Sequence, residues 1–382
     1  MKMIMHYKYI VIAILVFLVP LIMWPFKSPS QKFELRKFNP KPEFTMESLI
    51  SRKYFGALGS YLTDRFPFKN EMTTIRGNFL IHLFSTSPNE RARVGKNGYY
   101  FFTRGLDLPC STFKKQQVNK YWSELEKFIA KAYSQNIIVR MIIAPQKPTI
   151  YPEFLSTDDY TRYQCARDNL ELFLDKQPIT TNKNYIGLWD IFKAEKEQAP
   201  DKLLHHPTDT HWNEHGALFL SKTLVNSLAE GLWDEEDVYT HPYRHQGDLG
   251  RIMGVPLYED SEHVEVERKG INVKEGNRIR AGSNIIRRYT AISETNSEKK
   301  LLEKIVIIHD SFGKRTFTQI PPYFKETVYI HHETLGTEEA KNTISNASYV
   351  LITFSERFMY KTMQMLQQDG RIYQQLFADE LQ

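Results

Sequence analysis

The sequence predicts an α/β fold in which helices cover both faces of a parallel β-sheet. Short apolar runs rich in β-branched residues recur along the chain, at 137–144, 304–308 and 349–354. Stretches with helical spacing of apolar residues separate these runs. Parallel strands need helix-length crossovers, and strands buried on both faces are continuously apolar. With 382 residues, the chain is long enough for one such domain and a smaller accessory region.

Charge and cysteine content narrow the class of protein. The formal net charge of +5 is spread along the sequence instead of forming one basic block, which argues against a nucleic-acid partner. Cys110 and Cys165 are the two cysteines of the sequence. They fit an oxidising compartment in which one bridge forms, but two unpaired thiols fit the sequence equally well.

An uncharged, apolar stretch near the N-terminus predicts a membrane anchor over residues 1–27. It lies between Lys8 and Lys27 and has about the minimum length that crosses a hydrocarbon core of roughly 30 Å. No small-x-small cleavage site follows it, although a cleaved signal and a buried helix remain alternatives. Large domains cross the membrane largely regardless of charge, so we expect a single-pass cell-membrane protein with an extracytoplasmic domain.

Residues 28–88 predict a linker followed by a small helical region. The linker, rich in Pro, Lys and Phe, extends to about Thr45, and helical apolar spacing follows it up to about Phe84. The main domain, 89–382, begins near an Asn-Gly turn flanked by apolar pairs, which is typical of a hairpin.

Units of a helix followed by a strand make up the first half of this domain. The helical face that starts at Val118 leads into the strand 137–144, and a helix around 168–173 leads into a strand at 185–188. A third helix is expected to open at Asn213, a suitable cap residue.

Residues 234–300 are polar and lack an apolar period, so we expect an insertion of loops and hairpins there. The α/β pattern then resumes with strands at 304–308, 327–330 and 349–354 and a helix after Gly336. In such sheets the chemistry gathers at the carboxyl ends of the strands.

Ser311 is the candidate nucleophile. It follows a β-branched strand and stands between Asp310 and Phe312, which places it on the turn that leaves a strand end. The alternative is that Ser311 only caps the next element. As a nucleophile it would need a base to take its proton.

Asp209 and His211 are the candidate orienting acid and base. In an extended stretch, residues i and i+2 project to the same side, so Asp209 can reach one imidazole nitrogen and leave the other for Ser311. The alternative is that Asp209 caps a helix and His211 is a surface residue.

A zinc-dependent deacetylase is a further alternative. His211 and His215 are four residues apart, and His205, His206 and Asp209 are close in sequence. The pattern is not His-Glu-x-x-His and no cysteine joins it, so the leading hypothesis assigns neither a metal nor a cofactor.

These motifs together resemble the alginate O-acetyltransferase family of AlgJ/AlgX type, whose domains are SGNH-hydrolase-like. The main match is the order Asp-x-His-Trp followed, about a hundred residues later, by a strand and Asp-Ser-Phe. Further segments match in the same order: Val94 to Phe102, Ala144 to Lys147 with Ile150 to Pro152, Gly247 to Leu249 with Met253 and Gly254, and Glu356 with Arg357. The resemblance covers roughly 36–357, and His309 departs from it because relatives carry a small residue there.

The resemblance implies a flavodoxin-like fold with Ser311 as nucleophile, His211 as general base and Asp209 as the residue that orients it. It also implies transfer of an acetyl group to a polysaccharide and a membrane-bound O-acyltransferase as donor partner. A serine carbohydrate acetylesterase and a noncatalytic glycan-binding assembly subunit are the alternatives.

Three residues are candidates for substrate binding. Lys147 and Arg357 are cations at predicted strand ends, where they could line the cleft or only support its loops. Trp212 could stack on a sugar or pack beneath the neighbouring loop. Four arginines of the insertion could meet an anionic glycan or form a solvated face: Arg278, Arg280, Arg287 and Arg288.

Overall fold

The structure is a computed structural model that describes residues 14, 18–20, 22–24, 26–27, 37–282, 284–295, 297–344 and 346–377. The anchor predicted over 1–27 therefore lies largely outside the described residues. Among the residues that are described, no helix is both long and apolar enough to cross a membrane. The chain divides into two compact units: a first unit of 1–94 with 246–257, and a second unit of 95–245 with 258–382.

The helices and strands alternate along most of the chain. The helices are α1 (Met46–Ile50), α2 (Lys53–Asp64), α3 (Lys69–Phe84), α4 (Thr103–Thr112), α5 (Val118–Ser134), α6 (Lys147–Ile150), α7 (Thr157–Asp175), α8 (Trp189–Gln198), α9 (Glu214–Leu228), α10 (Asp248–Met253), α11 (Glu338–Ile344), α12 (Met359–Met365) and α13 (Arg371–Phe377). The strands are β1 (Ala92–Val94), β2 (Tyr100–Phe102), β3 (Ile138–Ala144), β4 (Tyr185–Gly187), β5 (Val238–Gln246), β6 (Tyr258–Val266), β7 (Ile271–Glu275), β8 (Ile279–Ala281), β9 (Asn284–Ser293), β10 (Ile305–His309), β11 (Glu326–His331) and β12 (Tyr349–Ser355).

The first unit is helical over the region predicted from helical spacing. Thr45 begins α1 with a capping box, in which its hydroxyl accepts the backbone N–H of Ser48 and the Ser48 hydroxyl accepts that of Thr45. In α3, a Cβ added at Gly77 would overlap the side chain of Val255, so this helix packs closely against the segment after α10. The helices expected between Met46 and Phe84 are therefore confirmed.

The second unit is built on a mostly parallel sheet. Its strand order among the described residues is β4-β3-β12-β10-β11-β9-β7, with β8 paired to β9. The strands from β4 to β11 in this order are mutually parallel. The α/β class and the central parallel sheet are thus confirmed.

The prediction of a parallel sheet is wrong for the strands beyond β11 in the strand order. β9 pairs antiparallel with β11, and β7 pairs antiparallel with β9. Both strands come from the polar segment 234–300, in which we expected loops and hairpins; antiparallel pairing of β7 with β9 fits a hairpin, whereas its addition to the main sheet was not predicted. An antiparallel edge can leave one face in water, so its strands lack the continuous apolar run by which buried parallel strands are recognised.

Apolar side chains cover both faces of the sheet because successive residues of a strand point to opposite faces. Val306 and Ile308 belong to the cluster that includes the buried face of α5. Ile305 and Ile307 belong to the other cluster, which includes the buried face of α9. Helical layers therefore lie on both faces, as the sequence predicted.

The carboxyl ends of β3, β10 and β12 meet at one edge of the sheet. His309 at the end of β10 is in register with Thr353 of β12, and Ser355 of β12 is in register with Ala144 of β3. The segments that leave these three ends therefore start close together, and they carry Lys147, Ser311 and Arg357.

Cys110 and Cys165 form a disulfide that joins α4 to α7. The two cysteines are separated by 55 positions in the sequence. The question that the sequence left open, a single bridge or two thiols, is answered in favour of the bridge.

Candidate active site

Ser311 opens a short 3-10 helix directly after β10, and Asp310 holds this turn in place. One oxygen of the buried Asp310 carboxylate accepts the backbone N–H of Phe312 at 2.9 Å. The other accepts the backbone N–H and the hydroxyl of Ser355 at 3.0 and 2.7 Å. We call residues 310–316 the serine turn. Its cap is Asp310, so the alternative in which Ser311 serves as the cap is wrong.

His309 lies beneath the serine turn and is accommodated by a glycine. Its Nδ1–H donates to the carbonyl of Asp310 at 2.6 Å, and its ring packs edge-on against Phe317 and Tyr329. Burial lowers the pKa of His309 to about 3, so the ring is neutral. A Cβ at Gly313 would lie 2.6 Å from the Cβ of His309, which leaves no room for a side chain at position 313.

A histidine loop, residues 205–212, brings His211 to Ser311. His211 Nε2 lies 2.8 Å from Ser311 Oγ, and His211 Nδ1 lies 2.7 Å from Asp209 Oδ1. The same Asp209 oxygen accepts the backbone N–H of His211 at 3.0 Å, which fixes the carboxylate against the ring. A neutral His211 that donates Nδ1–H to Asp209 offers Nε2 as acceptor for the Ser311 hydroxyl.

The side chains of Asp209, His211 and Ser311 differ in their exposure to solvent, and this difference suits proton transfer. The Asp209 side chain is 4% exposed, whereas that of His211 is 19% exposed. Ser311 is half-buried. The acidic end is thus shielded from water, and the hydroxyl end remains accessible to a small molecule.

Lys147 supports the histidine loop through hydrogen bonds to its backbone. It is 3% exposed, and its ammonium donates to three backbone carbonyls, those of His206 at 2.8 Å, Pro207 at 2.9 Å and Asp209 at 2.7 Å. Of the two roles considered for Lys147, the structure places it in loop support. Contact of Lys147 with substrate stays a prediction.

Trp212 and Arg357 both pack against Phe312 of the serine turn. Trp212 is fully buried, and its Nε1–H donates to the Phe312 carbonyl at 3.0 Å, so the ring packs beneath the loop instead of facing a ligand. The Arg357 guanidinium lies over the rings of Phe102, Phe312 and Phe358 at 5.3 to 5.5 Å and is largely buried. Contact of Arg357 with substrate stays a prediction.

The four histidines weighed as zinc ligands hydrogen bond different groups of the protein. His211 lies between Asp209 and Ser311 as described, and His205 Nε2 faces the Pro145 carbonyl at 3.1 Å. The remaining two, His206 and His215, contact Glu259 at 2.5 Å and Glu262 at 2.6 Å, respectively. Burial lowers the pKa of His205 to about 3.

Sequence reasoning missed a buried network of charges behind the histidine loop. Glu214, the first residue of α9, pairs with Arg315 of the serine turn at 2.5 Å, and His206 pairs with Glu259 at 2.5 Å. Burial alone would raise the pKa of Glu214, but His206 and Arg315 outweigh it and lower the pKa to about 2. Burial would lower the pKa of His206, but its hydrogen bonds to Glu214 and Glu259 raise it. The partners are distant in sequence, so no local motif signals this network.

A second histidine contacts Asp209 from β5. The Nε2 of His245 lies 3.0 Å from Asp209 Oδ2, the oxygen that His211 does not use. His245 is 8% exposed. It belongs to the segment 234–300, where no sequence motif distinguishes one histidine from the others.

No protein-family model and no curated protein matches the sequence. Three solved structures illustrate what the fold is similar to. Bacillus cereus PatB1 with a sulfonyl adduct is 15% identical with a TM-score of 0.49, covering 65% of this chain and 93% of that one. The O-acetyltransferase domain of Pseudomonas putida AlgJ is 14% identical with a TM-score of 0.40, covering 72% and 98%. Pseudomonas aeruginosa AlgX is 12% identical with a TM-score of 0.41, covering 68% and 60%. AlgJ and AlgX are also the proteins that the sequence motifs of this chain resemble.

Proposed function

We propose that this protein is a serine-dependent O-acetyltransferase that moves an acetyl group to a hydroxyl of an exported or cell-envelope polysaccharide. The observation that carries the proposal is the continuous hydrogen-bonded chain from Asp209 through His211 to Ser311, at 2.7 and 2.8 Å. The choice of an acetyl group and a polysaccharide acceptor rests on the resemblance of the sequence motifs.

In the first step, His211 Nε2 takes the proton of the Ser311 hydroxyl as Oγ attacks the carbonyl carbon of an acetyl ester. The carbonyl π electrons move to oxygen, and the intermediate then expels the donor alkoxide, which receives the proton from His211. Asp209 stabilises the imidazolium formed in between. The products are acetyl-Ser311 and the free donor alcohol.

In the second step, an acceptor hydroxyl replaces the donor alcohol. His211 removes its proton, its oxygen attacks the acetyl carbonyl, and the Ser311 oxygen leaves with the proton from His211. Water can follow the same route and give hydrolysis. A positioned sugar hydroxyl reacts as if it were present at a very high concentration, an effective molarity of roughly 10⁵ M or more in favourable cases. It therefore outcompetes water that is not positioned. We propose that the polar segment 234–300 forms the wall that positions the acceptor.

The developing oxyanion requires hydrogen-bond donors near Ser311. We expect the backbone N–H of Ser311 to be one of them, because it lies at the start of a helical turn directly at the reacting oxygen. Arg357, which packs on the neighbouring Phe312 ring, is our candidate for a positive charge close to the substrate.

The proposed setting is the outer side of the cell membrane, with residues 1–27 as anchor. The disulfide between Cys110 and Cys165 supports an oxidising compartment. Acetyl-CoA is cytoplasmic, so the acetyl group has to be supplied across the membrane, and a membrane-bound O-acyltransferase is the proposed donor partner.

The test is mass spectrometry of the purified full-length protein incubated with an activated acetyl ester and a panel of oligosaccharides. We expect an acetyl adduct on Ser311 and acetylated sugar, and we expect both to be lost in Ser311→Ala, His211→Ala and Asp209→Asn, which act as a unit. Ser134→Ala, at an exposed serine of α5, is the matched control and should behave as the wild type.

Three outcomes would contradict the proposal. Unchanged adduct formation in Ser311→Ala would remove the covalent mechanism. A panel of acetylated glycans that only loses acetyl groups would favour the esterase. Glycan binding with no change of any ester would favour the assembly subunit.

A further inference from the structure

The two oxygens of the Asp209 carboxylate have different partners. Oδ1 accepts both the ring Nδ1–H and the backbone N–H of His211, at 2.7 and 3.0 Å. Oδ2 lies 3.0 Å from Nε2 of His245. We infer that His245 is a positioning residue of the same site, which holds Asp209, and through it His211, in the geometry needed to form acyl-Ser311. This inference rests on the proposed function.

The direction of this hydrogen bond follows from the chemistry of the groups. An ionised carboxylate has no proton to give, so His245 must donate its Nε2–H to Oδ2. A carboxylate on a short side chain rotates readily about its last bond, because that torsion has broad minima. With donors on both oxygens, rotation would break bonds on both sides, so Oδ1 stays directed at Nδ1 of His211. His211 is thereby kept in the tautomer whose Nε2 can accept the Ser311 proton.

His245 is itself contacted on one face of its ring and near its far nitrogen. Its ring stacks on that of His206, with centroids 3.9 Å apart and planes inclined by 16°. The hydroxyl of Tyr243 lies 3.5 Å from its Nδ1 and donates to Glu214 at 3.2 Å. The described contacts of His245 thus include Asp209, His206 and Tyr243, with Glu214 beyond them.

His206, which stacks on His245, connects it to the charge network behind the histidine loop. His206 contacts Glu259 of β6, and that carboxylate also accepts the backbone N–H of Thr208 at 2.9 Å. The β5–β6 pair therefore contacts the histidine loop at three points: the Oδ2 of Asp209, the ring of His206 and the backbone of Thr208. A segment that the sequence showed only as polar thus reaches the residue that orients the base.

The experiment measures the rate at which phenylmethylsulfonyl fluoride labels Ser311 in the full-length protein, followed by mass spectrometry. This probe needs an activated serine but no glycan, so it reports on the reactivity of Ser311 independently of glycan binding. His245→Phe keeps a ring and removes the donor, whereas His245→Gln keeps an N–H donor. We expect labelling to slow by about ten- to a hundredfold in His245→Phe, which corresponds to the loss of one hydrogen bond to a charged group. We expect partial recovery in His245→Gln.

The deciding arm repeats His245→Phe in an Asp209→Asn background. If His245 acts through Asp209, His245→Phe slows labelling little or not at all in a protein that already carries Asp209→Asn. Additive losses would show that His245 acts elsewhere and would overturn the inference. Equal slowing in His245→Phe and His245→Gln, with both variants melting at the wild-type temperature, would overturn it as well.

Failure of this inference can be told apart from failure of the proposed function. If wild-type Ser311 is labelled no faster than Ser311 in a His211→Ala variant, the proposed function fails and the inference fails with it. If the wild type is labelled rapidly and His245→Phe equals it, only the role of His245 is lost.

Discussion

Asp310 shows how one buried carboxylate determines the position of its neighbour. It accepts backbone hydrogen bonds from Phe312 and Ser355, which ties the start of the serine turn to the end of β12. Because Asp310 takes the capping role, the hydroxyl of Ser311 remains available to His211. Sequence alone could not decide between these two residues, since both are good caps and they are adjacent.

Gly313 offers a test of packing at the residue scale. Gly313→Ala is expected to destabilise the protein by about 1–3 kcal/mol, because the new methyl group would overlap His309 and the buried turn has no space to move into. The free energy of unfolding in urea measures this. Gly276→Ala, where the added Cβ meets its nearest atom at 3.5 Å, is the control and should cost less.

The cause of that loss can be checked with a second substitution. In a His309→Gly background the added methyl group has room, so Gly313→Ala should cost clearly less than in the wild type. If the cost of Gly313→Ala is the same in both backgrounds, the overlap with His309 is not its origin.

At the scale of elements, sequence patterns correctly predicted the turns and helix caps that are stabilised by contacts between neighbouring residues. The Asn97–Gly98 turn has positive φ at both residues, 52° and 77°, and the N–H of Tyr99 donates to the Lys96 carbonyl at 3.0 Å, as expected of an Asn-Gly hairpin turn. Asn213 caps α9, as its sequence position predicted. That β7 and β9 extend the main sheet could not be predicted from the hairpins expected there, because the pairing of β9 with β11 depends on a strand that is distant in sequence.

The contact between α9, β6 and the serine turn predicts how stability depends on pH. The pKa of Glu214 is lowered from 4.5 to about 2, so its charged form stabilises the fold above about pH 4.5, and this contribution is lost as the pH falls towards 2. The pKa of His206 is raised above 6.5, so its contribution is complete below about pH 6.5 and is lost as the pH rises through the folded value.

We therefore expect the network to stabilise the protein most between about pH 4.5 and 6.5. Urea unfolding of the wild type across pH 3 to 8 should show this, with a shallower acid limb in Glu214→Gln. Glu171→Gln, which removes the same charge from the exposed side of α7, should keep the wild-type acid limb. Parallel acid limbs in wild type and Glu214→Gln would contradict the assignment.

At the scale of the whole molecule, the disulfide closes a long stretch of chain between α4 and α7. A bridge between residues 55 positions apart restricts the unfolded chain, and removing such a bridge costs about 2–5 kcal/mol. Cys110→Ala with Cys165→Ala should therefore lower the melting temperature, and reduction should lower that of the wild type. If reduction leaves the wild-type melting temperature unchanged, the bridge does not contribute to stability.

The sequence by itself determined the α/β class, the apolar strands of the parallel sheet and the three residues proposed for catalysis. These follow from period, capping residues and the order of short motifs, all of which are properties of neighbouring residues. The tertiary structure decided which oxygen of Asp209 faces which histidine, that Lys147 supports the histidine loop, that Trp212 joins this loop to the serine turn, and that His245 of β5 reaches the site. Those roles depend on distances between residues that are 36 to 100 positions apart in the sequence. The pairing of the strands and the packing of the loops set these distances, and no pattern within one segment does.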